Sequence, residues 1–181
     1  MIETLGLGGG CHWCTEAVFS SLAGVSAVRQ GYIRSAAKHA NPAEAVEVDF
    51  DPVTISREDL LAVHLATHAS TDPRKATGKY RSAIYVFEDS ERKRMAALLA
   101  DAQVEAGATF ATQVLLHCGF TPSAETFQEY YAKNPQGAFC TNYIDPKLTL
   151  LRERFEHLRR GDGVQLCDKI PESAASESRD G

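Results

Sequence analysis

The sequence predicts one α+β domain built on a β-α-β-β-α-β plan, with an extra strand and helices toward its C-terminal end. Two observations carry this prediction. Apolar residues alternate between strand and helix periods in that order, and no internal repeat or linker divides the 181 residues. The length suits a single domain with a proper core. A composition of 44% hydrophobic and 24% charged residues is that of an ordinary globular protein.

Residues 3–10 are apolar and Gly-rich, a buried strand running into a tight turn. From residue 13 to 23 the pattern is helical, with Cys14, Val18 and Leu22 on one face at a spacing of four. Gly24 followed by apolar Val25 suits a Schellman ending. Residues 25–33, VSAVRQGYI, have strand character, and AEAVEVDFDP alternates cleanly until Pro52 stops it. Residues 55–68 read as a helix opened by Ser56 and Asp59 at capping-box spacing. After a loop over 70–79, YRSAIYVF is the clearest strand in the chain. This order is the split βαβ plan of ferredoxin-like sheets. Beyond it the pattern predicts an amphipathic helix over 90–107, a strand over 112–120, and helices over 124–134 and 145–160. The domain spans 1–170, and the small polar residues 171–181, PESAASESRDG, form a disordered tail.

Charge and cysteine usage narrow the function. A net charge of −5 gives no basic footprint for nucleic acid. There is no apolar run of membrane-spanning length and no signal-peptide pattern, so the expectation is a cytoplasmic protein with no membrane partner. The five cysteines are odd in number and scattered. In a reducing compartment a close cysteine pair is redox-active or metal-binding more often than structural.

That pair lies in GGGCHWC. A strand, a glycine turn and a helix start bring the Cys11 sulfur near unpaired helix N–H groups, which stabilise a thiolate. Glu16, also in the first turn, opposes this with its charge. The plainer reading of Cys11 is a small buried hydrophobe. Cys14 weighs against it, because two cysteines three apart at a helix start can close a disulfide. Zinc on Cys11, His12 and Cys14 is the rival, but a structural site needs four ligands. His117 and Cys118, adjacent in a strand, would point to opposite faces, so no metal is expected.

The stretches GGGCHWCTEAVFSSLAGVSAVRQGY, AEAVEVDFDPVTIS, YRSAIYVF, AETFQEYYAKNP and FCTNYIDPKLTLLRERF occur in this order. Together, over residues 4–155 or so, they resemble the peptide methionine-(S)-sulfoxide reductases, the A-type family. The resemblance implies an α+β fold around a ferredoxin-like core. It also implies reduction of methionine S-sulfoxide, free or in proteins, to methionine. In it Cys11 matches the nucleophile, and Trp13 matches the wall on which the substrate methyl rests. Glu44 matches the acid that protonates the sulfoxide oxygen, and Tyr32 and Tyr80 match the tyrosines that hydrogen-bond it. Periodicity alone would make Glu44 a solvated strand residue. A sulfoxide oxygen leaves only when protonated, which is why the chemistry needs an acid beside the thiolate.

The resemblance further implies a Cys11 sulfenic acid, a disulfide with a second thiol, and reduction by thioredoxin as external thiol, with no cofactor. Cys140, following the turn-like NPQGA, is the favoured resolving cysteine, with Cys14 and Cys167 as alternatives and Cys118 in the core.

The chain also departs from the family. His12 stands where the family has Phe in the methyl pocket, and Lys75 where it has an acid. Phe127 and Gln128 replace Tyr and His, and the stretches over 33–42 and 70–79 are altered or short. Retained chemistry with an altered substrate site is the expectation. Two other classes remain open: a C-x-x-C thiol–disulfide oxidoreductase or thiol peroxidase, and a non-catalytic binder of oxidised methionine peptides.

Overall fold

The structure, a computed structural model, describes residues 1–161. The predicted tail and Cys167 lie outside the described residues. The chain forms β1 (Glu3–Gly8), α1 (His12–Ser20), β2 (Val25–Arg34), β3 (Ala43–Phe50) and α2 (Arg57–Ala66). It continues with β4 (Ala83–Val86), α3 (Asp89–Ala106), β5 (Gln113–Leu116), β6 (Gly119–Pro122), α4 (Tyr130–Lys133) and α5 (Asp145–Arg154). The result is a mixed α+β domain on one sheet of order β5-β4-β1-β3-β2-β6. Strand β1 pairs antiparallel with β3 and β4, and β2 pairs antiparallel with β3.

The expected face of α1 is the buried one: Cys14, Val18 and, just past the helix, Leu22 pack inward. The helix ends at Ser20, three residues early. Leu22 and Val25 then bond back to Phe19 and Leu22 carbonyls, and Gly24 turns the chain at φ +83°. Ser56 caps α2 as expected, accepting from the Asp59 N–H at 3.0 Å while Asp59 accepts from the Ser56 N–H at 3.1 Å. Such a cap contributes about 1 kcal/mol.

The strand expected over 112–120 is two strands on opposite edges of the sheet. β5 runs parallel to β4, and after His117 and Cys118 β6 runs antiparallel to β2. One stretch of chain thus borders both outer strands and curls the sheet. The inside of the curl holds Ile33, Ala45, Ala83 and Tyr85, with Leu115 and Phe120 against them. Gly6 faces this filling: a Cβ there would sit 2.7 Å from Ile33 Cδ1. The outer face carries α1, α2 and α3 over the main core. His117 stacks on Phe87 and meets Glu47 Oε1 at 2.9 Å, while Cys118 is exposed on the turn, not in the core as expected.

The helix expected over 124–134 is broken. Glu125–Phe127 form a 3-10 turn, Glu129 adopts φ +54°, and only Tyr130–Lys133 are α-helical. Side-chain oxygens of Glu16 take the Glu129 and Tyr130 N–H groups, at 2.6 and 3.3 Å, and fix this shape. The last helix stops at Arg154, and a 3-10 turn over Glu156–Leu158 carries the chain to a bridge between Arg159 and Leu22.

Candidate active site

Cys11 is the N-cap of α1, with extended backbone at ψ 126°, so its sulfur meets the open end of the helix. The Cys14 thiol donates to it, and the Trp13 and Cys14 N–H groups add hydrogen bonds. Burial and the Glu44 charge oppose these donors, and the balance brings the Cys11 thiol down to about 7. Donating that hydrogen bond to Cys11, with burial added, raises the Cys14 thiol strongly. A readily ionised thiol with its own hydrogen-bond donor is therefore built into the first turn.

One flank of Cys11 comes from the sheet. Glu44 on β3 is directly opposite Tyr32 on β2. Its carboxyl accepts from the His12 N–H at 3.2 Å and pairs with Lys79 Nζ at 3.1 Å. Only 6% of Glu44 is exposed, so the solvated strand position suggested by period two is not what forms. The first turn of α1 and residues 79–81 cover the face that alternation would leave to water, and the Glu44 N–H bonds the Lys79 carbonyl at 2.8 Å. The Lys79 ammonium lies over both tyrosine rings, 6.0 Å from the centre of Tyr32 and 5.3 Å from that of Tyr80. Pairing with Glu44 holds Lys79 more firmly protonated than an isolated lysine. Tyr80 is 45% exposed at the rim. His12 is buried, with its ring edge-on to Tyr32 at 5.4 Å.

The other flank comes from the C-terminal segment. Trp13 stacks face to face on Tyr130 at 4.0 Å, with Phe127 at 5.8 Å and the edge of Phe139 at 5.4 Å. Cys140 opens a π-helical turn, Cys140–Ile144, and is fully buried in a cluster with Cys14, Ala17 and Ile144. Cys140, expected to follow a turn-like stretch, is packed inside; burial raises its pKa, and the thiol in contact with Cys11 is Cys14. Below Cys11, a cavity of about 130 Å³ is lined by Cys14, His64, His68, Lys75 and Lys147. The Lys147 ammonium donates to the Thr67 carbonyl and, being buried, loses its proton more readily than an exposed lysine. His64 bonds the Gly8 carbonyl at 2.8 Å, and His68 reaches Ser82 Oγ at 2.7 Å. Burial drives both rings down, to about 4 and about 2, so they brace the glycine turn as neutral groups.

Sequence reasoning missed several of these supports. Glu16, expected only as a first-turn charge opposing the thiolate, is buried and also accepts from Gln30 Nε2 at 2.6 Å. Burial raises its pKa against those hydrogen bonds. Gln128 brackets Gln30 with both ends of its amide, and the buried Arg81 ties the carbonyls of Asn41, His39 and Ile33 to Tyr85. The only signal for them was apolar context around a polar residue. Among the described residues no three His, Cys, Asp or Glu side chains converge to hold a metal ion, and no helix is long and apolar enough to cross a membrane.

The family model described as peptide methionine sulfoxide reductase matches residues 3–159. A peptide methionine sulfoxide reductase MsrA of Halobacterium salinarum is 35% identical over 172 residues, covering 84% of this chain and 96% of that protein. Among solved structures, methionine sulfoxide reductase A of Corynebacterium diphtheriae superposes with a TM-score of 0.62 at 24% identity, covering 75% of this chain and 76% of that one. Mxr1 from Saccharomyces cerevisiae, in a complex with Trx2, gives 0.54 at 22% identity, over 71% and 84% of the two chains.

Proposed function

The chain belongs to the peptide methionine sulfoxide reductase family and is an oxidoreductase that reduces methionine sulfoxide; from that premise we propose how its residues divide the work. The observation that carries the reading is Cys11 at the α1 N-cap, its thiol near 7, with the buried Glu44 carboxyl on one side and the Cys14 thiol on the other. We read the four central strands, ordered β4-β1-β3-β2, as a ferredoxin-like core that fixes this geometry.

Cys11 as thiolate attacks the sulfoxide while Glu44 supplies a proton to its oxygen, and Tyr32 and Tyr80 hydrogen-bond that oxygen. The substrate S–O bond breaks and a Cys11 S–O bond forms. The substrate sulfur gains the two electrons that the Cys11 sulfur loses, so methionine and a Cys11 sulfenic acid result. The Cys14 thiol then condenses with the sulfenic acid, releasing water and closing a Cys11–Cys14 disulfide. Cys140, packed beside Cys14, exchanges next, and an external dithiol such as thioredoxin restores the thiols. The complex of yeast Mxr1 with Trx2 supports that choice of reductant. The substrate is the S-diastereomer, in peptides or as the free amino acid.

Incubation with dithiothreitol and each diastereomer of a methionine sulfoxide peptide tests this. The S-form is consumed by the parent and not by Cys11→Ser. Turnover by Cys11→Ser, or of the R-form alone, overturns the reading.

A further inference from the structure

His12 is one of the family departures, and its surroundings give it more than a packing role. Nδ1 of its buried ring lies 3.0 Å from the Gly31 carbonyl, an acceptor only, so Nδ1 carries a hydrogen. Nε2 is then the nitrogen open to a second proton, and it faces Glu44 Oε2 at 3.9 Å, with the other carboxyl oxygen against the Lys79 ammonium. An ammonium at that distance pairs with the ionised carboxylate, yet the reaction needs a proton on Glu44.

We propose that His12 acts through Glu44 as the second holder of the proton taken up by the departing oxygen, one proton being shared between imidazole Nε2 and the carboxyl. This deepens the reading above and rests on Glu44 as proton donor. Cys11 thiolate, sulfoxide and one proton give thioether and Cys11 sulfenic acid. In that step the one proton, held on Nε2, passes to the Glu44 carboxylate and from it to the oxygen, and Glu44 ends as the carboxylate that Lys79 pairs. The ring is thereby left neutral with its hydrogen on Nδ1, the form that the Gly31 carbonyl holds.

The charged and titratable groups facing His12 come from four directions. Cys11 is its neighbour in sequence, Tyr32 comes from β2 and Glu44 from β3, and Lys79, with Tyr80 beside it, comes from the loop before β4. Of these Cys11 titrates near neutral pH, in the opposite sense: rising pH makes more thiolate, while the shared proton is lost. The single-turnover rate therefore rises through the Cys11 value and falls as the His12–Glu44 pair deprotonates. His12 acts through Glu44, not on substrate, and is a positioning residue in this sense.

The test is the pH profile of single-turnover S-sulfoxide reduction in the parent, His12→Gln and His12→Phe. Gln can still donate to the Gly31 carbonyl but cannot hold the proton. The expected result is a falling limb displaced toward acid by at least about one pH unit in both variants, a loss of about tenfold at the parent's optimum, with KM little changed. A second measurement follows the His12 ring by NMR in Cys11→Ser with and without Glu44→Gln; a moved titration midpoint is expected. Parent-like profiles in both variants, or a ring titration indifferent to Glu44→Gln, overturn the proposal. If the parent reduces no methionine sulfoxide, the family chemistry fails, and the NMR titration still decides whether the two groups share a proton.

Discussion

The two flanks of Cys11 are made differently. The acid flank stands on the regular ladder of β2 and β3, where Tyr32 and Glu44 are held opposite one another by strand register. The thiol flank stands on short, broken turns between residues 123 and 144, which α1 holds through Glu16 and Trp13. The difference suits the chemistry proposed for each. Proton transfer to a departing oxygen needs a fixed distance. Disulfide exchange needs sulfurs that can come within bonding distance of successive partners, and a segment with little ladder of its own can move.

Breaking the acid flank has the largest effect. Glu44→Gln should slow the single-turnover reduction on the order of 10²–10⁴-fold while leaving substrate affinity nearly unchanged. Rapid-quench kinetics with a sulfoxide peptide measures this, and an unchanged rate would reduce Glu44 to a buried strand residue. Any disulfide formed by a slower first step should still pass to the reductant normally.

Loosening the thiol flank comes second. Glu16→Ala deprives Gln30, Glu129 and Tyr130 of their acceptor and should cost on the order of 3 kcal/mol. Because burial raises the Glu16 pKa in the folded state, its contribution is full at acid pH and is lost as pH rises through that raised value. The stability advantage of the parent over the variant, read from thermal melts of both across pH, should therefore shrink as pH rises through that value. The emission of Trp13, the only tryptophan, reports whether Tyr130 has left its ring.

The smallest change sits where the flanks meet. Cys14→Ala removes the first cause of the low Cys11 value, so the alkylation midpoint should move from about 7 toward the ordinary thiol value of about 8.5. One equivalent of methionine should still form in the first turnover, while steady-state turnover with thioredoxin falls. A midpoint that stays at about 7 would show that the helix N–H groups alone stabilise the thiolate.

Legibility in the sequence follows the same division. β1, the α1 face, the capping box of α2 and the Cys11 N-cap are short-range patterns, and the chain reads them out within a few residues. Glu44 could be placed on a strand but not inside the protein, because alternation says which side a residue takes and not what later covers it. Glu16 is joined to Glu129 across 113 positions, beyond any periodic window. The helix expected over 124–134 failed for the same reason: a distant carboxylate takes two of its N–H groups. The strand over 112–120 had the right character, yet nothing in its alternation says that its halves serve opposite edges. Cys140 is favoured for the turn-like stretch before it, and the chain instead packs it beside Cys14 in one buried cluster. Cys14 is buried and still donates a hydrogen bond to Cys11.

The crossing at His117 and Cys118 bears on how the protein survives its own synthesis. Until residue 122 has been made, the long strand β2 and the short strand β4 lie bare at the two margins of the sheet, offering unpaired backbone to any other nascent chain. A single ten-residue stretch then covers both, with four residues on each. Chains interrupted before residue 112 should therefore aggregate, while chains continued past residue 122 gain protection at both margins in one event.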